Sequence, residues 1–194
     1  MKKGENSNAP KKGTSTKVDP IKNPEDIERI RYKLRYKYRN ICLFTLGINT
    51  NLRASDLCNL KIEQVRGLSP MDEIVIKEKK TNKVRRINLN SSCIKVINRH
   101  LRDNYDEYLF TGQRGPIKPS AVHSLVKGWC KDIGLRGNYG SHTLRKTWGY
   151  QQRVQFKTPL PLLMRCFNHA SEKETLEYLC VQPEEIRAVY ENEI

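Results

Sequence analysis

The sequence predicts a mainly α-helical domain with one small antiparallel β-sheet, an α+β fold. Helical spacing of apolar residues is the first indication, and it is strongest for Val122, Leu125, Val126, Trp129, Cys130 and Ile133. Capping patterns are the second, as in Asn23-Pro24-Glu25-Asp26, where a helix start is predicted. The third is a change of period, because EIVIKEKK and KVRRINLN flank Thr81-Asn82 and predict a hairpin with a two-residue turn.

Helices are predicted along most of the remaining chain. After the helix that begins at Asn23, apolar periods and breakers place helices at Ile41 to Leu46, Leu52 to Leu60, Ser91 to Asp103, Ser141 to Val154 and Pro159 to Phe167, and a last one opens at Gln182. Thr158 is the expected cap of the helix that follows it. Ser171 and Glu174 form a capping box, which places Tyr178 on a short helix.

The two ends of the chain differ in composition from the middle. Residues 1–18 contain five lysines and one glutamate with little apolar surface, so we expect residues 1–20 to be a flexible basic tail. Residues 21–180 are the expected globular domain. Residues 181–194 predict an acidic helix with a short apolar stripe at Ile186, Val189 and Tyr190, which must dock on its own domain or on a neighbouring protomer.

The net charge indicates the kind of partner. Over 194 residues the chain carries +15, the balance expected of a protein that binds polyphosphate. The excess is segregated, because seven acidic and two basic residues lie between Glu172 and the end. No apolar run approaches the roughly 18 residues that span a bilayer, so we expect no membrane partner and a cytoplasmic location.

Cysteine usage favours a reducing compartment. The six cysteines include no C-x-x-C pair, and we expect them to be reduced core residues. Cys166 and His169 have the spacing of metal ligands, but no second ligand pair accompanies them. No carboxylate cluster of the kind that holds Mg²⁺ lies near the histidines and arginines. The sequence therefore predicts no metal and no cofactor.

Several polar segments are candidates for chemistry. Arg53 precedes Asp56 by three residues, which by itself is compatible with a surface ion pair, and His142 precedes Arg145 by three. In order along the chain the elements are LRASDL, a lysine in the hairpin, H-x-x-R, N-H-A-S and Tyr178, nine residues after His169. From about residue 25 to 185 this order resembles the tyrosine recombinase and integrase family.

The resemblance implies the fold of a tyrosine recombinase catalytic domain and a role for each matching residue. Arg53 and Arg145 would clamp the phosphate, His142 and His169 would be the histidine pair, and Tyr178 would be the nucleophile. Lys80 matches the hairpin lysine, with Lys79 and Lys83 as rivals, and Asp56 stands where the family has glutamate and would hold Arg53 or a neighbouring group in position.

Three departures from the family pattern concern geometry. Asn51 stands where the family often has glycine, and asparagine tolerates a left-handed backbone better than most residues. Phe167-Asn168 replaces Leu-Gly before His169, and Lys146 replaces the histidine after Arg145. None of these departures removes a catalytic group.

The implied chemistry suits these residue types. Two guanidiniums neutralise a phosphodiester and the charge that develops on it during attack. A phenol has a pKa of about 10, so Tyr178 needs a base or hydrogen-bond acceptor, and one of the histidines can serve. Lys80 on the hairpin would protonate the departing 5′-oxygen. The product is a 3′-phosphotyrosine linkage that stores the bond energy, so the DNA strand is rejoined without ATP.

Three functions fit the motifs. The first is site-specific recombination of double-stranded DNA by a homo-tetramer that assembles on DNA from free monomers in the cytoplasm, associated with the nucleoid. The second is DNA relaxation of the type IB topoisomerase kind, and the third is regulation by a catalytically silent DNA-binding protein. Most family members have about a hundred residues of DNA-binding domain upstream, so the chain is either a short recombinase or a fragment.

Overall fold

The computed structural model of the chain describes residues 17–79, 82–102, 104–179 and 190–191. Its architecture confirms the predicted mainly helical α+β class. The helices in these ranges are α1 (Pro24–Leu34), α2 (Tyr38–Gly47), α3 (Ala54–Cys58), α4 (Ser91–His100), α5 (Pro119–Asp132), α6 (Thr143–Val154), α7 (Leu160–Phe167) and α8 (Glu172–Leu179). The strands are β1 (Glu73–Lys77), β2 (Val84–Asn88), β3 (Thr111–Gly112) and β4 (Gly115–Pro116), and Ile62–Gln64 form a 3-10 turn.

The core is built around α2. Helix α1 begins as predicted, because the Asn23 side chain accepts a hydrogen bond from Glu25 N at 2.9 Å and Pro24 occupies the first turn. Helix α2 begins at Tyr38, three residues earlier than the apolar segment suggested, and every residue of it from Ile41 to Gly47 is buried. Its buried faces pack against α1, α3, α4 and α6, which makes α2 the central helix of the domain.

The hairpin next to this core has a longer turn than predicted. β1 and β2 pair antiparallel from Glu73↔Asn88 to Lys77↔Val84. Beyond the strands, Glu78 N donates to Lys83 O and Asn82 N donates to Glu78 O, both at 2.9 Å. The prediction of a two-residue turn at Thr81-Asn82 is therefore wrong, because that turn would require residue 80 to pair with Lys83, whereas the partner of Lys83 is Glu78. A second two-stranded sheet, β3 with β4, was also not expected.

Helices α6, α7 and α8 form a separate apolar cluster beside the main core. Leu163, Phe167 and Leu179 are its buried members, and Trp148 and Tyr178 pack against them. Gly149 permits the close approach, since a Cβ there would overlap the side chains of Phe167 and Leu179. The cluster thereby seats the helix that carries Tyr178.

Two predicted caps differ in detail. Helix α7 begins after Pro159, and the Thr158 hydroxyl donates to the Gln152 side chain at 3.0 Å, so Thr158 does not cap the helix. At the start of α8 half of the capping box forms. Glu174 N donates to the Ser171 hydroxyl at 3.2 Å, whereas the Glu174 carboxylate accepts from Ala170 N at 3.0 Å.

The cysteines follow the prediction with one exception. Cys42, Cys58, Cys93 and Cys130 are buried without a disulfide, and burial raises the pKa of the Cys93 thiol to about 12. Cys166 is exposed, so its assignment to the core was wrong: it lies on the outer face of the amphipathic helix α7. Cys180 lies outside the described residues, as do residues 1–16 of the predicted tail and all of the predicted acidic helix except Tyr190 and Glu191.

The N-terminal approach to α1 packs on the domain. Asp19 N donates to Asn138 O at 2.7 Å, and the Asn138 side chain donates to Lys17 O at 2.9 Å. Ile21 is buried, and its N–H donates to the Thr147 hydroxyl at 2.8 Å. In the part of the chain that the structure describes, no helix is long and apolar enough to cross a membrane.

Candidate active site

Arg145 is a buried cation at the junction of α6, α7 and the loop before α3. Its side chain donates from Nη1 to Asn51 O at 2.9 Å and from Nη2 to Phe167 O at 3.1 Å. Burial lowers the pKa of Arg145 to about 10; the Tyr178 phenol opposes this shift and the guanidiniums of Arg53 and Arg85 add to it. The group therefore remains charged at neutral pH and is fixed in direction by two carbonyls.

Arg53 lies at the N-cap of α3 and is held by a carboxylate from the hairpin. Its Nη1 is 2.6 Å from Oε2 of Glu78, which is 1% exposed. The other Glu78 oxygen is 3.1 Å from Nη1 of Arg85, which also donates to Asn51 O at 3.2 Å. One buried carboxylate thus organises two guanidiniums, and Asn51 O links them to Arg145.

Glu78 and Arg85 were missed by the sequence analysis, although a signal was present. Ile74 and Ile76 alternate along β1, and Glu78 continues the same period of two. That alternation places the Glu78 side chain on the buried face, where a carboxylate requires a cationic partner. Arg85 lies on the neighbouring strand and supplies one.

Asp56 holds the backbone of the hairpin. Its Oδ1 accepts a hydrogen bond from Lys79 N at 3.1 Å, and its Oδ2 lies 4.0 Å from Arg53 Nη1. Asp56 thus connects α3 to the start of the loop beyond β1, and the carboxylate that directly contacts Arg53 is that of Glu78. Lys80, the expected hairpin lysine, lies outside the described residues.

The loop before α8 contacts the hairpin through Lys83. Its Nζ donates to the Asn168 side chain at 3.3 Å. Asn168 has φ 57°, a left-handed conformation at the end of α7, and Asn51 has φ 55°, which agrees with the expectation for that position. Both family glycine positions are therefore left-handed residues here, occupied by the residue type that tolerates them best.

Tyr178 lies between the two predicted histidines. Its hydroxyl is 3.5 Å from Nδ1 of His142, the exposed N-cap residue of α6. The Tyr178 ring packs against the rings of Phe167 and His169, with centroids 5.1 Å and 5.3 Å away. Phe167 is also 5.1 Å from the Arg145 guanidinium, so it separates and positions the cation and the phenol.

His169 is directed inward and held in one orientation. Its ring stacks on Phe167, and its Nδ1 lies 3.1 Å from the Thr175 hydroxyl. Burial lowers the pKa of His169; Glu174 opposes this shift, whereas Arg145 and Arg53 add to it. A histidine that is neutral at physiological pH can accept a proton or a hydrogen bond.

The structure therefore brings together Arg53, His142, Arg145, His169 and Tyr178, residues that are up to 125 positions apart. Across the described ranges, no three His, Cys, Asp or Glu side chains gather as a metal site requires. The arrangement can bind an anion with two guanidiniums and present a phenolic hydroxyl with a histidine beside it.

Comparison with known proteins gives the family. Residues 23–185 match the phage integrase family. The probable integrase/recombinase YoeC of Bacillus subtilis (strain 168) is 33% identical over 177 residues, which are 89% of this chain and 95% of YoeC. Tyrosine recombinase XerC of Caldanaerobacter subterraneus subsp. tengcongensis is 29% identical over 160 residues, which are 78% of this chain and 44% of XerC.

Solved structures share the fold. The crystal structure of XerA recombinase superposes with a TM-score of 0.72 at 20% identity, over 94% of this chain and 65% of that one. The post-cleavage complex of XerH site-specific recombinase with palindromic difH substrate gives a TM-score of 0.71 at 23% identity, over 92% of this chain and 55% of that one. With its family match and its similarity to YoeC, the chain belongs to the phage integrase family, that of the tyrosine recombinases.

Proposed function

We propose that the chain is a site-specific DNA recombinase that cleaves and rejoins DNA through a covalent bond to Tyr178. The observation that carries this proposal is the position of the Tyr178 hydroxyl, 3.5 Å from His142 Nδ1 and one aromatic ring away from the buried Arg145 guanidinium. A nucleophile beside a hydrogen-bond acceptor and an anion-binding cation is the arrangement that phosphoryl transfer requires.

The two guanidiniums bind the scissile phosphate. Arg145 is fixed by carbonyl groups and Arg53 by Glu78, so neither needs to reorganise when charge develops on the non-bridging oxygens. Tyr178 Oη forms a bond to phosphorus, and the bond between phosphorus and the 5′-oxygen breaks. His142 or His169 accepts the phenolic proton or a hydrogen bond from it.

The departing 5′-oxygen takes a proton from a hairpin lysine. Lys80 is the proposed donor because it matches the family's lysine, with Lys79 and Lys83 as the rivals on the same loop. Rejoining reverses the steps: the 5′-hydroxyl of a strand attacks the phosphotyrosine, Tyr178 leaves, and the lysine accepts the proton. The bond energy is conserved throughout, so no ATP is consumed.

The proposed partner is double-stranded DNA, bound by four protomers in the synaptic complex and by a monomer before that. XerH, which has the same fold, is bound to its difH substrate in its structure. Action on chromosomal DNA would place the protein in the cytoplasm with the nucleoid. The acidic residues 181–194 are the proposed contact between neighbouring protomers, since they oppose a strongly basic body.

Replacement of the nucleophile tests the proposal. On a nicked DNA substrate whose cleaved product diffuses away, the wild type accumulates a covalent adduct that denaturing gels resolve. Tyr178→Phe removes one hydroxyl, so DNA binding persists and the adduct disappears. Tyr105→Phe, at a tyrosine that is 85% exposed, is the matched control and retains the adduct. An adduct in the Tyr178→Phe variant would transfer the role to another tyrosine and refute the proposal.

Strand exchange is measured separately. A recombinase resolves a synthetic four-way junction into recombinant duplexes, whereas an enzyme that only relaxes DNA removes supercoils and leaves the junction intact. Adduct formation without junction resolution, even in the presence of the full target site, would indicate relaxation. Binding without any adduct would indicate a silent regulator.

A further inference from the structure

Lys146 is a buried cation that the mechanism above does not use. It follows Arg145 on α6 and is 5% exposed. Lysine is rarely buried to this degree, because its ammonium loses hydration unless charged or aromatic groups replace it. Its Nζ lies 5.1 Å from the centroid of the Tyr178 ring, within the range of a cation–π contact. The family pattern has histidine at this position, so the lysine is a feature of this chain.

The same two residues share a cavity. A cavity of about 360 Å³ opens beside Tyr178, and its polar lining comes from three segments, the N-terminal approach, α6 with its N-cap, and α8: Lys17, His142, Lys146, Glu174, Glu177 and Tyr178. Lys146 contributes from the helix that also carries Arg145, whereas Tyr178 contributes from α8. The Lys146 ammonium therefore reaches from α6 across to Tyr178 on α8.

We propose that Lys146 is a positioning residue for the nucleophile: its ammonium holds the Tyr178 ring and favours the phenolate form that attacks phosphorus. This inference rests on the proposed function of Tyr178. A cation beside the ring attracts its π face in the neutral form, and it attracts the ring more strongly when the oxygen carries a negative charge. The interaction therefore strengthens as the proton leaves, which is the condition for catalysis.

Other charged groups face Tyr178, and they act differently. His142 and His169 contact it as hydrogen-bond or ring partners. Arg145 is held by two carbonyls and is available to the phosphate. Lys17 brings a further positive charge to the cavity, whereas Glu174 and Glu177 oppose the phenolate from α8 itself. Lys146 lies over the face of the Tyr178 ring, so we assign the positioning role to it.

The test is the pH profile of adduct formation. Lys146→Met keeps the length and apolar stem and removes the charge, so at about pH 7 adduct formation falls about tenfold, the effect of one unit charge about 5 Å away in a partly screened site. The rising limb of the profile moves up by about one pH unit, and the rates of variant and wild type converge at alkaline pH. Lys146→Arg keeps a charge and restores most of the rate. The control is Lys131→Met at an exposed position of α5, which leaves the profile unchanged.

A second measurement needs no DNA. Phenolate formation at Tyr178 is followed by near-ultraviolet absorbance as the difference between a protein and its Tyr178→Phe counterpart, in the wild-type and Lys146→Met backgrounds. The ionisation of Tyr178 shifts to higher pH when Lys146 is replaced. Thermal unfolding of each variant establishes that it is folded, and Lys146→Gln replaces the methionine variant if that one does not fold.

The outcomes separate the two claims. A Lys146→Met protein whose adduct formation falls by the same factor at every pH, or whose Tyr178 ionisation is unchanged, would leave Lys146 with a structural role only and overturn the inference. If the wild type itself forms no adduct, the proposed function fails instead. A shifted Tyr178 ionisation in that case would keep the contact between Lys146 and Tyr178 as a physical fact.

Discussion

Arg53 is oriented by Glu78 and not by the carboxylate in its own helix. Nη1 of Arg53 is 2.6 Å from Glu78 Oε2 and 4.0 Å from Asp56 Oδ2. Glu78 is the last residue before the loop of the hairpin, so the orientation of Arg53 depends on the hairpin being in place. Asp56 fixes the start of the hairpin loop by accepting a hydrogen bond from Lys79 N.

Glu78→Gln should therefore weaken both folding and cleavage. The substitution removes the carboxylate charge that pairs with the guanidiniums of Arg53 and Arg85. We therefore expect a loss of about 3 kcal/mol in the free energy of unfolding. Adduct formation should fall at least about tenfold, because Arg53 loses its orientation. Urea unfolding and the adduct gel measure the two effects.

The matched control is Glu73→Gln in the same hairpin. Glu73 pairs with Arg86 at 2.7 Å, but both side chains are exposed, so the change should cost less than about 1 kcal/mol and leave cleavage unaltered. Equal effects of the two substitutions would refute the special role of Glu78.

Gly149→Ala should displace α8, the helix that carries Tyr178, the proposed nucleophile. A Cβ at Gly149 would overlap Phe167 and Leu179, so we expect a destabilisation of about 1–3 kcal/mol together with slower adduct formation. Gly128→Ala on α5 is the control, because nothing lies within 4 Å of a Cβ there. That change should stabilise the fold by about 0.5–1 kcal/mol. Thermal unfolding and the adduct gel measure the two effects. Equal changes in stability and in adduct formation for the two alanine variants would contradict the prediction.

The stability of the protein should fall as the pH drops below about 6.5, the ordinary value for histidine. Burial lowers the pKa of His169 and of His100, so the unfolded chain binds their protons more readily than the folded one. The stability that the neutral histidines contribute is fully present above the pKa of histidine in the unfolded chain. It is lost as the pH falls through the lower pKa of the folded state. Urea unfolding at about pH 7.5 and about pH 5.5 measures it.

Each histidine should account for its own part of that dependence. His169→Gln and His100→Gln should each reduce the difference in stability between the two pH values, and the double variant should reduce it further. A dependence that neither substitution changes would assign it to other groups.

Cleavage should persist in excess EDTA. The two guanidiniums neutralise the phosphate in the proposed mechanism, so no divalent ion is needed for charge stabilisation. Adduct yields are compared with and without chelator and with added Mg²⁺. An absolute requirement for Mg²⁺ would contradict the proposed roles of Arg53 and Arg145.

DNA binding should weaken steeply with salt. The chain carries +15, and residues 172–194 hold seven acidic and two basic residues, a net of -5, so the remainder carries +20 and releases many counterions when it binds DNA. We expect a linear fall of the logarithm of the binding constant with the logarithm of the salt concentration. Tight binding that is insensitive to salt would be incompatible with this charge distribution.

The sequence alone determined the helical class, most helix starts and the set of candidate residues. These features are local: the Asn23 cap, the period from Val122 to Ile133 and the Ser171 cap of α8 each depend on residues within a few positions. The order of motifs likewise indicated Arg53, His142, Arg145, His169 and Tyr178 without any coordinates.

Tertiary structure decided what those residues contact. The bonds from Arg145 to Asn51 O and Phe167 O, the ion pairs of Glu78, and the contact of Lys146 with Tyr178 join residues that are distant in the sequence. No local pattern encodes them, because a buried charge takes whichever partner the packing of the helices brings within reach. The hairpin turn likewise differs from the one its sequence suggested, because the register of the two strands, which pairs Lys77 with Val84, is set across the sheet and not by the turn residues alone.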